Sequence, residues 1–488
     1  MSRSTRWIAA PLALGALALT APGASAAPGD PVNQQNFDAR EVLLQSGKTL
    51  LAGTADSDLG LIRLNAGGEP DPSFDFEGFV RADFGSSEQA ADAALAPGGG
   101  IVIAGTQNPG ATPLAVLAAF NTDGSADTSF SGDGKATFAL AAGDVVTSID
   151  ISSGGRIALG VSAGNGDFKV IAFTASGAPD AGFGSGGVTG LNFGGIDQTN
   201  AVAFQSSGKV VAAGGSTKLD GDFVIARFGL NGAIDNAADA DPSITFNGAG
   251  AQEIDASGGG VDRVLGMAID GSDRIVLTGP TGTNAFTSYL ISGTVRLAAN
   301  GAWDTAFATD GKAEFPEGLF SHVAQDVAVA GTGDIIVAGI GYESTGLGYV
   351  QRLSDAGAET FSSTHTGAVV PPDTYDTLTS MRVAAASDGG FTLGGGATAY
   401  PSGATGAFAQ RFTSGNALDP TFSGDGTTFP RFTEVAPPVE LPPGQLAPQT
   451  TAGGGPAAAP IRKCRKAKKK RARGATSKKC KRKKRARR

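Results

Sequence analysis

Acidic residues in glycine-rich turns are the side chains of this sequence whose type and spacing could do chemistry. Five of them share the spacing Asp-x-x-Phe, three or four residues after a glycine. The pairs are Asp71 and Phe74, Asp127 and Phe130, Asp180 and Phe183, Asp304 and Phe307, and Asp419 and Phe422. A carboxylate placed there can accept the backbone N–H two residues further on, while the Phe packs between neighbouring repeats. We expect a structural role for these ten residues.

Loop carboxylates are also hard oxygen ligands of the type that calcium prefers. Asp235, Asp239 and Asp241 lie close together in one loop and are the weak candidates for a metal site. None shows the ordered Asp-x-Asp-x-Asp-Gly spacing with a distal Glu. We therefore expect no cofactor, with a calcium-stabilised structural protein as an alternative.

Catalytic groups are scarce in the sequence. The two histidines, His322 and His365, lie neither in a zinc-type pair nor beside a cysteine. Carboxylate pairs can hydrolyse glycosides, but carboxylates at equivalent positions of a repeat are better explained by the turn. We assign no catalytic residue and expect a protein other than an enzyme, with an extracellular polysaccharide hydrolase or lyase that uses loop carboxylates as the alternative.

Charge is strongly segregated along the chain. Residues 461–488 hold 18 of the 38 Lys and Arg and none of the 46 Asp and Glu, whereas residues 27–460 carry a net charge of −28. A basic, aromatic-free segment cannot form a core and is expected to be disordered. Such a segment can bind an anionic cell-wall polymer or envelope surface, but sequence-specific nucleic-acid binding is not expected. The candidate polyanion-binding residues are Lys468, Lys469, Lys470, Arg471, Lys481, Arg482, Lys483, Lys484 and Arg485.

The ends of the chain differ in composition from its body. Residues 1–26 resemble a secretory signal peptide, with Arg3 and Arg6 before an apolar run and Ala24-Ser25-Ala26 as cleavage site, and no later segment is apolar enough for a transmembrane span. Residues 436–460 form a Pro/Gly/Ala-rich linker. Cys464 and Cys480 are the two cysteines, and in an exported chain they could form a disulfide or pair between molecules. We expect a secreted protein, extracellular or associated with the cell surface.

The residues from 27 to 435 contain a sevenfold repeat. An apolar run that ends in glycine recurs with a mean period of 57 residues, and its closing glycines are Gly53, Gly105, Gly160, Gly214, Gly279, Gly339 and Gly395. Each repeat supplies four strand-like segments joined by short turns, which favours antiparallel pairing. In the sixth repeat they are predicted at 326–330, 335–339, 349–353 and near 368–370. The sequence therefore predicts an all-β fold, a β-propeller of seven four-stranded blades, with six or eight blades as alternatives and the strand phase at ring closure left open.

The repeats also resemble the delta-60 repeat family. Residues 127–134 read Asp-Thr-Ser-Phe-Ser-Gly-Asp-Gly, and residues 208–214 read Gly-Lys-Val-Val-Ala-Ala-Gly, both similar to the patterns of that family. The resemblance implies a bacterial β-propeller repeat protein and brings no established reaction or ligand. The expected function is a non-enzymatic binding or scaffold module that the basic tail holds to an anionic envelope, with the propeller's own ligand unknown.

Overall fold

A computed structural model describes residues 36–110, 112–218, 221–236, 245–256, 262–283, 290–314, 321–342, 346–365, 377–398 and 405–430. These residues form 29 β-strands in seven antiparallel sheets, each built from consecutive strands. Within this part of the chain there is no helix with the length and apolar character that a membrane crossing requires. The sevenfold, all-β propeller that the repeats predict is confirmed.

Each sheet is one blade. Blade 1 contains β1 (Phe37–Gln45), β2 (Lys48–Ala55), β3 (Asp58–Leu64) and β4 (Phe79–Ala82). Blade 2 contains β5 (Glu88–Leu95), β6 (Ile101–Gln107), β7 (Leu114–Phe120) and β8 (Lys135–Ala139). Blade 3 contains β9 (Val145–Ile151), β10 (Ile157–Ser162), β11 (Phe168–Phe173) and β12 (Val188–Leu191). Blade 4 contains β13 (Asp197–Phe204), β14 (Val210–Ser216), β15 (Phe223–Phe228) and β16 (Ala251–Ile254).

The remaining blades follow the same order. Blade 5 contains β17 (Gly266–Ile269), β18 (Ile275–Thr283), β19 (Leu290–Leu297) and β20 (Lys312–Glu314). Blade 6 contains β21 (Ser321–Val329), β22 (Ile335–Tyr342), β23 (Gly346–Leu353) and β24 (Glu359–His365). Blade 7 contains β25 (Thr377–Leu378), β26 (Arg382–Ala385), β27 (Phe391–Thr398), β28 (Thr405–Phe412) and β29 (Thr427–Thr428). Its first strand is split, because β25 and β26 both pair with β27.

The hydrophobic core lies between the blades. Its seven apolar clusters each combine residues of two neighbouring blades, including blades 7 and 1. Strands β6 and β14 are buried along their whole length because neighbouring sheets cover both of their faces. Burial of apolar surface therefore holds blade against blade around the whole ring.

Among the described residues, ring closure uses no exchange of strands, since blade 1 consists of β1–β4 and blade 7 of β25–β29. The two blades meet through side-chain and backbone hydrogen bonds instead. Ser380 Oγ donates to the carbonyl of Ala39 at 2.5 Å, and the Ser423 N–H donates to the carbonyl of Gly67 at 2.6 Å. This answers the question of strand phase that the sequence left open.

One boundary of the sixth repeat is corrected by the structure. Its fourth strand is β24 at Glu359–His365, earlier than the predicted position near 368–370, and residues 366–376 lie outside the described residues. The pairing of β24 with β23 begins directly after a short turn, in which the Ser354 carbonyl accepts the N–H of Gly357 and the Ser354 N–H donates to the carbonyl of Ala358, both at 2.8 Å. The apolar residues at 368–370 had suggested the strand, but the turn after Leu353 decides where pairing starts.

Candidate functional site

The five Asp-x-x-Phe motifs lie in the turns between the third and fourth strands of their blades. In each, one carboxylate oxygen accepts the N–H two residues on, at 2.9 to 3.2 Å. Each Phe ring is buried, with 0 to 2% of its surface exposed. These contacts give the motif a structural role, because the carboxylate satisfies its own turn and the ring fills a blade junction.

An arginine completes the motif in most blades, and sequence reasoning missed this role. Arg63 Nε donates to Asp71 Oδ2 at 2.7 Å, and its guanidinium carbon lies 4.4 Å from the ring centroid of Phe74. The same Asp and ring contacts recur at Arg227, Arg296 and Arg411, each eight residues before its Asp. That spacing was a readable signal in the sequence.

The motif also joins each blade to the next. Phe74 packs against the turn of blade 2 at Gly124, where an added Cβ would lie 3.0 Å from the ring. Phe422 of blade 7 packs in the same way at Gly68 of blade 1. Arg227 of blade 4 donates to the carbonyl of Ala299 in blade 5 at 2.6 Å. The turn motif of Asp, Phe and Arg therefore stabilises the fold and the contacts between blades.

The centre of the propeller is a channel. The first strands of successive blades contact each other around the ring, and β26 returns to β1. Two cavities lie along this axis. We call the one of about 720 Å³ the upper cavity and the one of about 500 Å³ the lower cavity. Seven residues, one from each blade, line both cavities and form what we call the waist: Arg40, Ala91, Thr147, Asn200, Leu265, Gln325 and Arg382.

β-Bulges aim most of the waist residues into the channel. Five first strands have a register shift, at β1, β5, β9, β13 and β21. The extra residue in each is a waist residue, namely Arg40, Ala91, Thr147, Asn200 and Gln325. Because a bulge inserts one unpaired residue and re-aims its side chain, the repeated bulge builds this ring.

Carboxylates on the first strands line the lower cavity. Asp92 accepts the N–H of Ile149 from the next blade at 2.9 Å, and Asp150 accepts the N–H of Phe204 at 2.7 Å. Asp326 accepts the N–H of Val383 at 2.8 Å. Glu41 Oε2 lies 4.0 Å from Arg382 Nε. The three aspartates each accept a backbone N–H from the next blade, whereas Glu41 pairs with an arginine side chain of blade 7.

Burial raises the pKa of these carboxyl groups. The pKa of Asp92 and that of Asp150 are each raised to about 6. Desolvation raises the pKa of Glu41 well above its ordinary value, with further contributions from the negative charges of Asp326 and Asp92. Carboxyls that titrate near neutrality in a cavity can exchange protons or bind cations. Glu41, Asp92 and Asp326 share a feature that is readable in the sequence. Each is an acidic residue in a first strand, 12 or 13 residues before the closing glycine of its repeat.

Two further groups of carboxylates lie at blade junctions. Asp58, Asp83 and Glu88 form one, and Asp222, Asp255 and Asp262 form the other, with ligand atoms within 4.8 Å of one another. They offer oxygen ligands that a calcium ion accepts. In the first group, Asp58 already pairs with Arg81 Nη2 at 2.6 Å.

Of the candidate calcium ligands that the sequence predicted, the structure describes Asp235. Asp235 is fully buried and pairs with Arg227 Nε at 2.5 Å and Lys209 Nζ at 3.0 Å, which gives its carboxylate a structural role. Asp239 and Asp241 lie outside the described residues, as do residues 1–35 and 431–488. The signal peptide, the linker, Cys464, Cys480 and the basic segment therefore stay predictions.

The fold and its channel define the chain as a seven-bladed β-propeller built from repeats. A family model described as "Domain of unknown function (DUF5122) beta-propeller" matches residues 44–74 and 205–237. These segments span the second and third strands of blades 1 and 4, up to Phe74 and just past Asp235. No curated protein is significantly similar to the chain.

Several solved structures match the chain at low similarity. A polysaccharide lyase named Uly1 is 12% identical, with a TM-score of 0.43 over 77% of this chain and 89% of that one. Prolyl oligopeptidase B from Galerina marginata is 12% identical, with a TM-score of 0.43 over 83% of this chain and 52% of that one. The β-propeller domain of the Trilobed protease from Pyrococcus furiosus is 7% identical, with a TM-score of 0.40 over 77% and 94%. At such scores none of them indicates an activity for this chain.

Proposed function

We propose that the protein is an exported β-propeller that acts as a binding module and attaches through residues 461–488 to an anionic polymer of a cell envelope. The observation that carries this proposal is the separation of charge between a body of net charge −28 and a segment of 18 basic residues. Lys and Arg arrays bind polyanions by releasing counterions. The repeats are proposed to be delta-60 repeats, on the strength of residues 127–134 and 208–214.

The carboxylates of the repeat turns already have partners within the fold, and this favours the channel as the place where the propeller binds a ligand. Asp71 binds Arg63, Lys48 and its own turn, and Asp235 is enclosed by two cations. The channel is then the place where polar groups converge on rigid strands, which is the usual character of a ligand site.

The test is cosedimentation of the exported protein with isolated bacterial envelopes across a salt titration. Three forms are compared: residues 27–488, residues 27–460, and a full-length variant in which the nine candidate polyanion-binding residues become Gln. We expect binding of the first form that falls steeply with salt, and loss of binding in the other two. Equal sedimentation of all three forms would rule out attachment through the basic segment. Mass spectrometry of the exported chain tests whether it begins at Ala27.

A second candidate function is a polysaccharide hydrolase or lyase that uses channel carboxylates. The observation that favours it is Glu41, a cavity-facing carboxyl whose pKa burial raises well above its ordinary value, as a general acid requires. Its test is the release of reducing or unsaturated sugar ends from envelope polysaccharide by the wild type and by Glu41→Gln. Equal release by both proteins, or none by either, would remove this candidate.

A further inference from the structure

The lower cavity has an excess of acidic groups. Its charged lining residues are Glu41, Asp92, Asp150, Asp326, Arg40 and Arg382. Four carboxyls thus face two guanidinium groups, and Arg40 Nη2 already pairs with Asp38 Oδ2 at 2.5 Å. When ionised, these carboxylates repel one another, and a cation that enters the cavity lowers that cost.

Arg382 neutralises part of this charge but is held at one side. Its Nε donates to the carbonyl of Arg40 at 2.7 Å, and the Glu41 carboxylate lies 4.0 Å away. A carboxylate has about four lone-pair positions, so Glu41 keeps the capacity to accept donors from a ligand.

The shape of the site distinguishes between kinds of cation. Glu41, Asp92, Asp150 and Asp326 come from four different blades, and among the described residues they form no group with ligand atoms within 4.8 Å of one another. A metal ion needs such convergence at about 2.3 to 2.6 Å for calcium. Carboxylates that are spread around a ring suit a ligand with several separated positive charges.

Apolar side chains share the wall of the lower cavity with these carboxylates. Leu43, Leu95, Met267 and Ile269 contribute to the wall of the same cavity. Methylene groups of a ligand would pack there, since burial of apolar surface is favourable. The volume of about 500 Å³ is within the range of small-molecule sites.

We infer that the lower cavity binds a linear polyamine, whose ammonium groups pair with Glu41 and the neighbouring aspartates while its methylene segments contact the apolar wall. This inference rests on the proposal that the propeller is the binding part of the chain. It deepens that proposal by naming the class of ligand.

The experiment is isothermal titration calorimetry of residues 27–488 with spermidine. The wild type is compared with Glu41→Gln, which removes the charge of the least engaged carboxylate, and with Glu69→Gln, the same change on the exposed turn of blade 1. Magnesium chloride serves as a compact dication, and the titrations are run at pH 8, pH 6.5 and pH 5 in two buffers of different ionisation enthalpy.

We expect saturable 1:1 binding at pH 8, weakened about tenfold by Glu41→Gln and unchanged by Glu69→Gln. Binding should release protons near pH 6.5 and weaken at pH 5, because the pKa values of Asp92 and Asp150 are near 6. Equal affinity of the wild type and Glu41→Gln, no binding, or tighter binding of magnesium would overturn the inference. Envelope cosedimentation is decided by the basic segment and is independent of Glu41, so the two proposals fail separately.

Discussion

Arg63 Nε donates to Asp71 Oδ2 at 2.7 Å across eight residues of sequence, and this ion pair ties a blade's third strand to the turn that follows it. The same guanidinium stacks on Phe74, which packs against the next blade. One contact therefore links local turn geometry to the junction between blades. The same ion pair and ring contact recur in blades 4, 5 and 7.

The burial of this ion pair should set its contribution to stability. Arg227 and Asp235 have side chains 2% and 0% exposed, whereas Arg411 and Asp419 are 19% and 20% exposed. We expect Arg227→Met to lower the free energy of unfolding by about 3 kcal/mol, because it leaves a buried carboxylate with one cation fewer. The matched change Arg411→Met should cost about 1 kcal/mol. Urea denaturation of the two variants measures both, and equal losses would contradict the role assigned to burial.

Alanine substitution at two glycines of similar backbone conformation tests how closely the blade junctions are packed. Gly232 and Gly248 have φ of +75° and +74°. A Cβ on Gly232 would lie 2.5 Å from the backbone nitrogen of Gly184, while a Cβ on Gly248 would meet nothing within 4 Å. Both Ala variants pay about 1 kcal/mol for the backbone, and Gly232→Ala should lose about 1 to 3 kcal/mol more. Thermal unfolding compares them directly, and similar melting temperatures would show that the junction relaxes freely.

The channel carboxyls should make stability depend on pH. The pKa of Asp150 is raised from 3.8 to about 6 by burial, so the folded state binds its proton more tightly than the unfolded chain does. Its contribution is complete below about pH 4 and is lost as pH rises through about 6. We expect Asp150→Asn to reduce the fall in melting temperature between pH 4.5 and 7.5. The exposed Asp133→Asn is the control, and an unchanged fall in Asp150→Asn would refute the assignment.

The hydroxyl of Ser380 should contribute to closure of the ring. Ser380 Oγ donates to the carbonyl of Ala39 and accepts the N–H of Gly396 at 2.8 Å, and the residue is 2% exposed. Ser380→Ala should cost about 1 to 3 kcal/mol because it leaves buried backbone groups without a partner. Hydrogen exchange should rise first in β1 and β27. The exposed Ser207→Ala should change neither quantity, and uniform exchange across all blades would argue against a local role in closure.

Several features of the fold follow from the sequence alone. The closing glycines from Gly53 to Gly395 and the apolar runs before them predict seven units of antiparallel strands, because strand pairing and short turns depend on residues near one another in the chain. The turn carboxylate of Asp71 and the buried ring of Phe74 belong to the same local pattern. Such local signals do not depend on how the ring closes.

The channel was decided by the tertiary structure. Arg40, Asn200 and Gln325 are far apart in sequence, and they meet because seven first strands converge on one axis and bulges turn these side chains inward. The raised pKa of Glu41 likewise depends on burial and on the charges of Asp92 and Asp326 in other blades. Periodicity defines one blade, whereas the geometry and electrostatics of a shared axis exist only when all seven blades are assembled.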